Sequence, residues 1–464
     1  QFFMSQTQTR RSSQVDLLHG PILKSLLLFA LPIMASRVFQ QIYNTMDTLI
    51  VGYTLGDSSI AAMGACSSIY EMMTGFTFGV GNGLAIVTAR CFGRQETDRM
   101  KKSVASCIVI GVAVTLVVTI LATIFMHPLL RLLKTPAEIL EESYSYISIL
   151  SIFLFVMFAY NLCSGLLRAI GNSFMPLVFL IFSSLVNIVL DLLFIRTFGM
   201  GVRGAALATI LSQAVSAVWV LKFLTGSKTK WHLRREHLRP QAKVVLPALA
   251  LGASPFIMQS TESLITVCFN SSLLKYGGDI AVGAMTVLSS IMQFAMMPLQ
   301  GLTQGAQPII SYNYGARKPE RVKKTIRLAV FYAECIMLVG FCIFQFLPDK
   351  LLSLFAAGDA MLAIGVPALR IICPHFLLAG AGIVLSSVFQ ALGNGMFSLI
   401  ISVCRQLVVL LPAAWLLSKT GNVNMVWWSF VIAELVSVTL SFVFFARLDK
   451  KIIEPMYDNA AAVQ

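Results

Sequence analysis

The chain has 464 residues, 57% of them hydrophobic and only 12% charged, with a formal net charge of +14. Soluble domains carry roughly 25% charged residues, so this composition excludes an ordinary water-soluble fold. A positive balance of this size can serve nucleic acid, but here most of the positive charge falls in segments between long apolar runs, which is the pattern of a protein facing an anionic membrane surface.

Hydrocarbon about 30 Å thick needs around 20 apolar residues per helix, and the backbone there must satisfy its own hydrogen bonds. Residues 1–23 precede the first apolar run. The first three come before Met4 and are set aside, and no cleavable leader is visible, because that run already extends into a spanning helix. Spans are predicted at 24–54, 59–89, 104–126, 141–166, 173–198 and 203–225, giving a first lobe over 24–225. The basic stretch GSKTKWHLRREHLRPQAK (226–243) links it to a second lobe over 244–446. Spans there are predicted at 244–274, 279–312, 325–347, 364–390, 396–418 and 423–446, followed by a tail over 447–464. Most of the 35 Lys and Arg fall in the two termini and in the loops after even-numbered spans. That asymmetry puts both termini in the cytoplasm.

The two lobes repeat one another. FGRQETDRMKKSV (92–104) and YGARKPERVKKTI (314–326) align Gly93 with Gly315 and Lys101 with Lys323, 222 residues apart. RAIGN (168–172) and QALGN (390–394) keep that register, and ALP (30–32) meets ASP (253–255) one residue off it. Six spans per lobe is an even number, so the lobes share one orientation and are related by an axis along the membrane normal, with a cavity between them. The expected fold is an all-α integral membrane protein: twelve transmembrane helices as two pseudo-symmetric six-helix bundles around a central cavity.

Several chemistries are absent. No GxxxxGK[ST] occurs, so there is no P-loop for ATP. GMGVRG (199–204) fits GxGxxG but lies between spans with no βαβ unit, and reads as a tight turn. The five His are scattered, and the nine Cys form no CxxC. No metal, disulfide or catalytic constellation is indicated, and an enzyme is not expected. What remains are acids inside apolar runs, each of which costs about 2.5–3.5 kcal/mol to insert and needs a reason. Asp47 sits late in the first span. Asp191 sits in the fifth, with Asn187 one turn earlier on the same face. Two carboxylates with an amide and hydroxyls suit a proton or a small hard cation such as Na⁺. In a dry shared site both cannot stay ionised, so one would carry a proton.

Pro32 and Asp47, NIVLD (187–191), RAIGNSFMP (168–176), GAALAT (204–209) and QALGNG (390–395) together resemble the multidrug and toxic compound extrusion (MATE) transporters, and the likeness covers the chain from about 17 to 450. The variant is similar to the bacterial DinF-like branch, which includes MepA-type exporters. The resemblance implies a cation site in the first lobe lined by Asp47, Asn187, Asp191 and Thr209, where H⁺ or Na⁺ drives drug release, with no other cofactor. It also implies a bend of the first helix at Pro32, where the physics agrees: a proline inside a helix removes one hydrogen bond. The static alternative is a fixed kink.

In the second lobe the acid of the seventh span is Glu262, and no acid stands in the tenth. Glu262 resembles a glutamate of the NorM-like branch and is expected to face the cavity as a counter-charge for cationic drugs. Glu71, Glu334 and Glu434 are expected to be structural, paired with Arg90, Arg370 or Arg405. The eighth span carries Met285, Met292, Gln293 and Met296, with Phe294 and Met297 among them. Flexible, polarisable methionines suit a surface that repacks around flat organic cations. The expected activity is secondary antiport: export of organic cations against inward H⁺ or Na⁺, by a monomer working among membrane lipids in the bacterial inner membrane, with no nucleic-acid partner. The alternative is a lipid-linked precursor flippase of the same superfold, which would need a basic cavity. A passive channel fits duplicated halves and a kinked helix less well.

Overall fold

The structure is a computed structural model. It describes residues 21–225 and 242–462, apart from 57, 58, 60, 61, 64, 65, 94–96, 133–136, 170 and 355–358. Residues 1–20 and nearly all of the basic linker, both expected as cytoplasmic segments, therefore lie outside the described residues.

The described residues are helical, with no strand among them. The first half comprises α1 (Ile22–Leu55), α2 (Ser67–Gly93), α3 (Thr97–Leu132), α4 (Leu140–Ile152), α5 (Leu154–Ala169), α6 (Phe174–Asp191) and α7 (Val202–Thr225). Helices α4 and α5 form one predicted span bent by 51°. Helix α6 passes directly into a π turn, Leu192–Thr197, which completes the fifth span. The second half comprises α8 (Ala242–Gly315), α9 (Pro319–Phe346), α10 (Pro348–Leu354), α11 (Asp359–Ala391), α12 (Gly395–Val403), α13 (Leu411–Ser418), α14 (Val423–Leu448) and α15 (Glu454–Ala462). A π turn, Cys404–Leu410, joins α12 to α13. Among the described residues nine helices are long and apolar enough to cross a membrane, ten with the bent pair. Helix α8 covers two more predicted spans, and the whole fits a twelve-span fold.

Two boundaries differ from the sequence reading. The outer turn expected at 275–278 is not a loop: α8 runs helical through Lys275–Gly278 for 74 residues. Its glycine pair suggests a turn, but no proline stands between Pro255 and Pro298, so no backbone donor is missing there. The expected tail is helical: a π turn (Asp449–Ile453) and α15 extend α14, and Lys323 ties the tail down by reaching Asp449 at 3.4 Å and lying over the Tyr457 ring at 5.1 Å.

The 222-residue register recurs as hydrogen bonds. At the end of α5, Gly171 N–H donates to Arg168 O and Asn172 N–H to Leu167 O. At the end of α11, Gly393 N–H donates to Gln390 O and Asn394 N–H to Phe389 O. Each is the paired bonding of a Schellman cap, whose αL position falls on glycine: φ is 90° at Gly171 and 86° at Gly393. RAIGN and QALGN are therefore the same helix stop written twice. Gln390 is fixed further by Gln307 Nε2, which donates to its amide oxygen at 3.0 Å.

Helix α1 belongs to both halves. Leu26, Phe29 and Ile33 are buried in the core of the second half with Leu299, Leu302 and Ala306, whereas Val51 is buried in the core of the first half with Met73, Ile147 and Leu150. The crossing falls between Ile33 and Val51, beyond Pro32, which stands inside an otherwise unbroken helix where α1 packs on α8. There α8 presents glycines. A Cβ at Gly305 would stand 2.8 Å from Ala30 Cα, and one at Gly301 would meet Met34. At one end of the bundle Arg90, closing α2, lies over the Tyr314 ring at 5.0 Å, with its guanidinium against Gly393 and its carbonyl against Gly315. The ends of α2, α8 and α11 thus meet on one arginine.

Candidate functional site

The apolar spans of α1 and α6 each carry one carboxylate, and the fold sets these face to face. Asp47 on α1 and Asp191 on α6 interact directly across the first half. Asn187, one turn before Asp191, and Thr209 on α7 stand beside the Tyr43 hydroxyl, one turn before Asp47. Asp47, Asn187, Asp191 and Thr209 are all buried, Asn187 and Asp191 to 1% exposure. All four residues expected to line a cation site are therefore brought together.

The wall of this pocket is aromatic and polar. Tyr43, Tyr70 and Tyr146 all lie within electrostatic reach of Asp47. None of the three is singled out by the sequence reading, because a tyrosine in an apolar run looks like filler. A signal for Tyr43 existed: it stands four residues before Asp47 and so shares its helix face. Thr209 donates its hydroxyl to Ala205 O at 3.1 Å, which leaves its oxygen lone pairs free to accept. Asp191 closes the α-helical part of its span, and the π turn begins at the next residue. π turns of this kind are frequent at functional sites.

The pocket is short of internal partners. One carboxylate oxygen of Asp47, both of Asp191, both polar side-chain atoms of Asn187 and the Tyr43 hydroxyl are buried without a direct hydrogen bond of good geometry. A buried polar group left unpaired costs about 1–3 kcal/mol, and a carboxylate more. No Lys or Arg pairs with either acid among the described residues. The donor set is all oxygen apart from one amide nitrogen, which fits a proton shared between the carboxyls or a small hard cation.

The second-half candidates that the structure describes lie elsewhere. Met285, Met292 and Met296 are half-buried against the second-half core, while Gln293 and Phe294 are exposed. The Glu262 side chain lies outside the described residues. Glu434, expected to be structural, is 1% exposed and has two partners. Arg405 Nη1 lies 3.6 Å from its Oε2, and His375 Nε2 lies 3.1 Å from the same oxygen. Glu334 accepts the Ala381 N–H at 2.9 Å. Those acids have their own counter-groups, whereas Asp47 and Asp191 have each other.

The sequence pattern of the MatE family matches twice, over residues 32–193 and 255–416. The chain belongs to the MatE family. The two matches stand 223 residues apart, reproducing the internal register within one residue, and each begins on a proline, Pro32 and Pro255. Curated relatives include "Probable multidrug resistance protein YoeA" of Bacillus subtilis, 26% identical over 92% of this chain and 94% of that protein. "Multidrug export protein MepA" of Staphylococcus aureus is 23% identical over 89% of this chain and 91% of that protein. Among solved structures, a MATE protein in a bent conformation superposes with a TM-score of 0.89 at 24% identity, covering 96% of this chain and 98% of that one. A transporter of the wider MOP superfamily from Pyrococcus furiosus, described as having a binding pocket of reverse polarity, superposes at 0.87 with 25% identity, covering 97% and 100%. As a MatE protein this chain is a multi-pass membrane transporter and not an enzyme.

Proposed function

We propose that this protein is a monomeric secondary antiporter of the bacterial cytoplasmic membrane, exporting organic, mainly cationic compounds in exchange for inward H⁺ or Na⁺. The observation that carries the coupling is the Asp47–Asp191 pair, two buried acids facing one another with no basic partner among the described residues. Both cannot be charged in a dry pocket, so the site takes up a proton or Na⁺ when open to one side and is costly to leave bare. One charge moving inward across 100 mV supplies about 2.3 kcal/mol.

Coupling requires that cation and drug favour opposite arrangements of the two halves, since equal affinity for both shifts nothing. Helix α1 supplies the link: its outer end carries Asp47, its inner end lies in the second-half core, and Pro32 stands within that inner stretch, before the crossing. Occupation of the acid pair would pull on one end of a helix whose other end belongs to the opposite half. Solved MATE neighbours described as bent and straight, and one with a proline replaced by alanine, support giving Pro32 this part. With both termini cytoplasmic, the Arg90 cluster lies at the inner face, and the two halves are closed there.

The test is efflux of a fluorescent organic cation from proteoliposomes under an imposed pH or Na⁺ gradient, with Asp191→Asn alongside. Flux that follows one gradient and vanishes in the variant supports antiport and identifies the ion. Folded protein that moves dye under neither gradient refutes it and favours the flippase reading.

A further inference from the structure

Helices α9 and α14 both pack along α11 and scarcely on one another, so a groove runs between them with α11 as its floor. At the tail end of the bundle the two walls are joined. Lys323 on α9 reaches Asp449, the first residue of the π turn after α14, at 3.4 Å, and lies over the Tyr457 ring of α15. The faces turned to the floor are buried: Val322, Ile326 and Ala329 on α9, and Val438, Ser441 and Leu448 on α14. The opposite faces are open, with Phe331 and Leu338 exposed on α9 and Leu435, Phe442 and Val443 on α14. On spanning helices an exposed apolar face of this kind meets acyl chains.

Followed towards the tail, each open face changes from apolar to basic to acidic. On α9 the exposed residues run Phe331, Arg327, Lys324 and Glu320, three or four apart and so on one face. On α14 and its extension they run Val443, Ala446, Lys450 and Glu454, with the same spacing. Lys324 and Lys450 each follow one member of the Lys323–Asp449 bridge. At about 100° per residue on antiparallel helices, both therefore turn out of the same side of the groove. Arg447 and Lys451, also exposed, turn to the far side of α14. With Lys323 and Asp449 level, a rise of about 1.5 Å per residue sets Arg327, Lys324 and Lys450 within about 8 Å of depth, and Glu320 and Glu454 beyond them towards water. Among the described residues none of these five charged side chains is ion-paired, whereas Lys323 beside them is.

Both walls thus present hydrocarbon, then cation, then anion. One phospholipid laid along the groove has the complementary order: acyl chains, then phosphate, then a headgroup amine. An anionic headgroup would be matched by the basic layer and opposed by Glu320 and Glu454. Choline carries methyl groups where ethanolamine carries three N–H donors, and only the latter gives charge-assisted hydrogen bonds to carboxylates. We infer that the α9–α14 groove is a binding site for a phospholipid with a primary-amine headgroup, of the phosphatidylethanolamine class. Its phosphate lies on Arg327, Lys324 and Lys450, and its ammonium reaches Glu320 and Glu454. A lipid held there ties α9 to α14 across the open side of the groove and stabilises the second half.

The test follows thermal unfolding of the full chain in detergent micelles, with matched amounts of dioleoyl phosphatidylethanolamine, phosphatidylcholine or phosphatidylglycerol added. Phosphatidylethanolamine should raise the midpoint most, and phosphatidylcholine less. Arg327→Gln with Lys450→Gln should abolish both rises. Glu320→Gln with Glu454→Gln should lower the phosphatidylethanolamine rise to that of phosphatidylcholine and leave the latter unchanged. All four positions are exposed, so the lipid-free midpoints should stay close to that of the unsubstituted protein, which separates lost binding from damaged folding. Native mass spectrometry of the same samples should show the retained phosphatidylethanolamine falling in parallel. Equal rises with phosphatidylethanolamine and phosphatidylcholine, a rise that survives Arg327→Gln with Lys450→Gln, or no rise with any lipid overturns the site. A rise greatest with phosphatidylglycerol and indifferent to the two glutamates overturns the amine assignment and makes the occupant an anionic lipid.

Discussion

The seam between α1 and α8 makes one substitution act with opposite sign at two sites. At Gly305 an added methyl would stand 2.8 Å from Ala30 Cα and Cβ, whereas at Gly340 on α9 nothing lies within 4 Å. Carbon atoms rest at about 3.5–4.0 Å, so Gly305→Ala must push the helices apart by close to 1 Å. The obstacle is backbone, and no rotamer relieves it. Overpacking of this kind costs about 1–3 kcal/mol, and helix propensity returns about 1 kcal/mol, a net loss on the order of 1 kcal/mol. At Gly340 only the propensity gain remains. Thermal unfolding in detergent, followed by tryptophan fluorescence, should place Gly305→Ala below the unsubstituted protein and Gly340→Ala at or above it. The seam also lies at Pro32, so dye efflux should slow in the Gly305 variant alone. If Gly305→Ala proves as stable as Gly340→Ala, α1 does not rest on α8 as described.

Three further outcomes follow from the same geometry. Tyr43→Phe keeps the ring but removes the hydroxyl beside Asn187 and Thr209, and should lower gradient-driven efflux severalfold, against complete loss for Asp47→Asn, in proteoliposomes. Glu434→Ala strands Arg405 and His375 and should cost about 3–5 kcal/mol; a double-mutant cycle with Arg405→Gln should show strong non-additivity, and additive losses would mean the pair is not coupled. Gly393→Ala forces a side chain into αL, about 1–2 kcal/mol, and against Arg90, whose Nη2 would lie 2.5 Å from the new Cβ. It should therefore weaken closure at the Arg90 end of the bundle, read as faster labelling of a cysteine placed at Ala316.

Much of this was legible in the sequence, for identifiable reasons. RAIGN and QALGN encode a cap that only a glycine in the αL region completes easily, so the repeat survived in letters. Asp47, Asn187 and Asp191 stood out because charge is rare in apolar runs, and their meeting required only that α1 and α6 be neighbours. Pairings between distant helices were less readable. His375 looked like one of five scattered histidines until α11 and α14 were set side by side. The Lys275–Gly278 turn failed for the opposite reason: glycine pairs permit a turn without compelling one.

The duplicated caps also say something about descent. The frame is shared, but the chemistry is not. In the repeat register Asp191 corresponds to Ala413, and Asp47 falls at Phe269 or Asn270. Conversely Glu434, His375 and Arg405 correspond to Ser212, Phe153 and Ser183. Each half therefore lacks what the other holds. A chain joined from two copies of the first half would possess two acid pairs and nothing for α1 to lever against. One joined from two copies of the second would be firmly tied and without an acid pair. The division of labour between anchor and sensor, rather than the folding pattern, is what separates the twins.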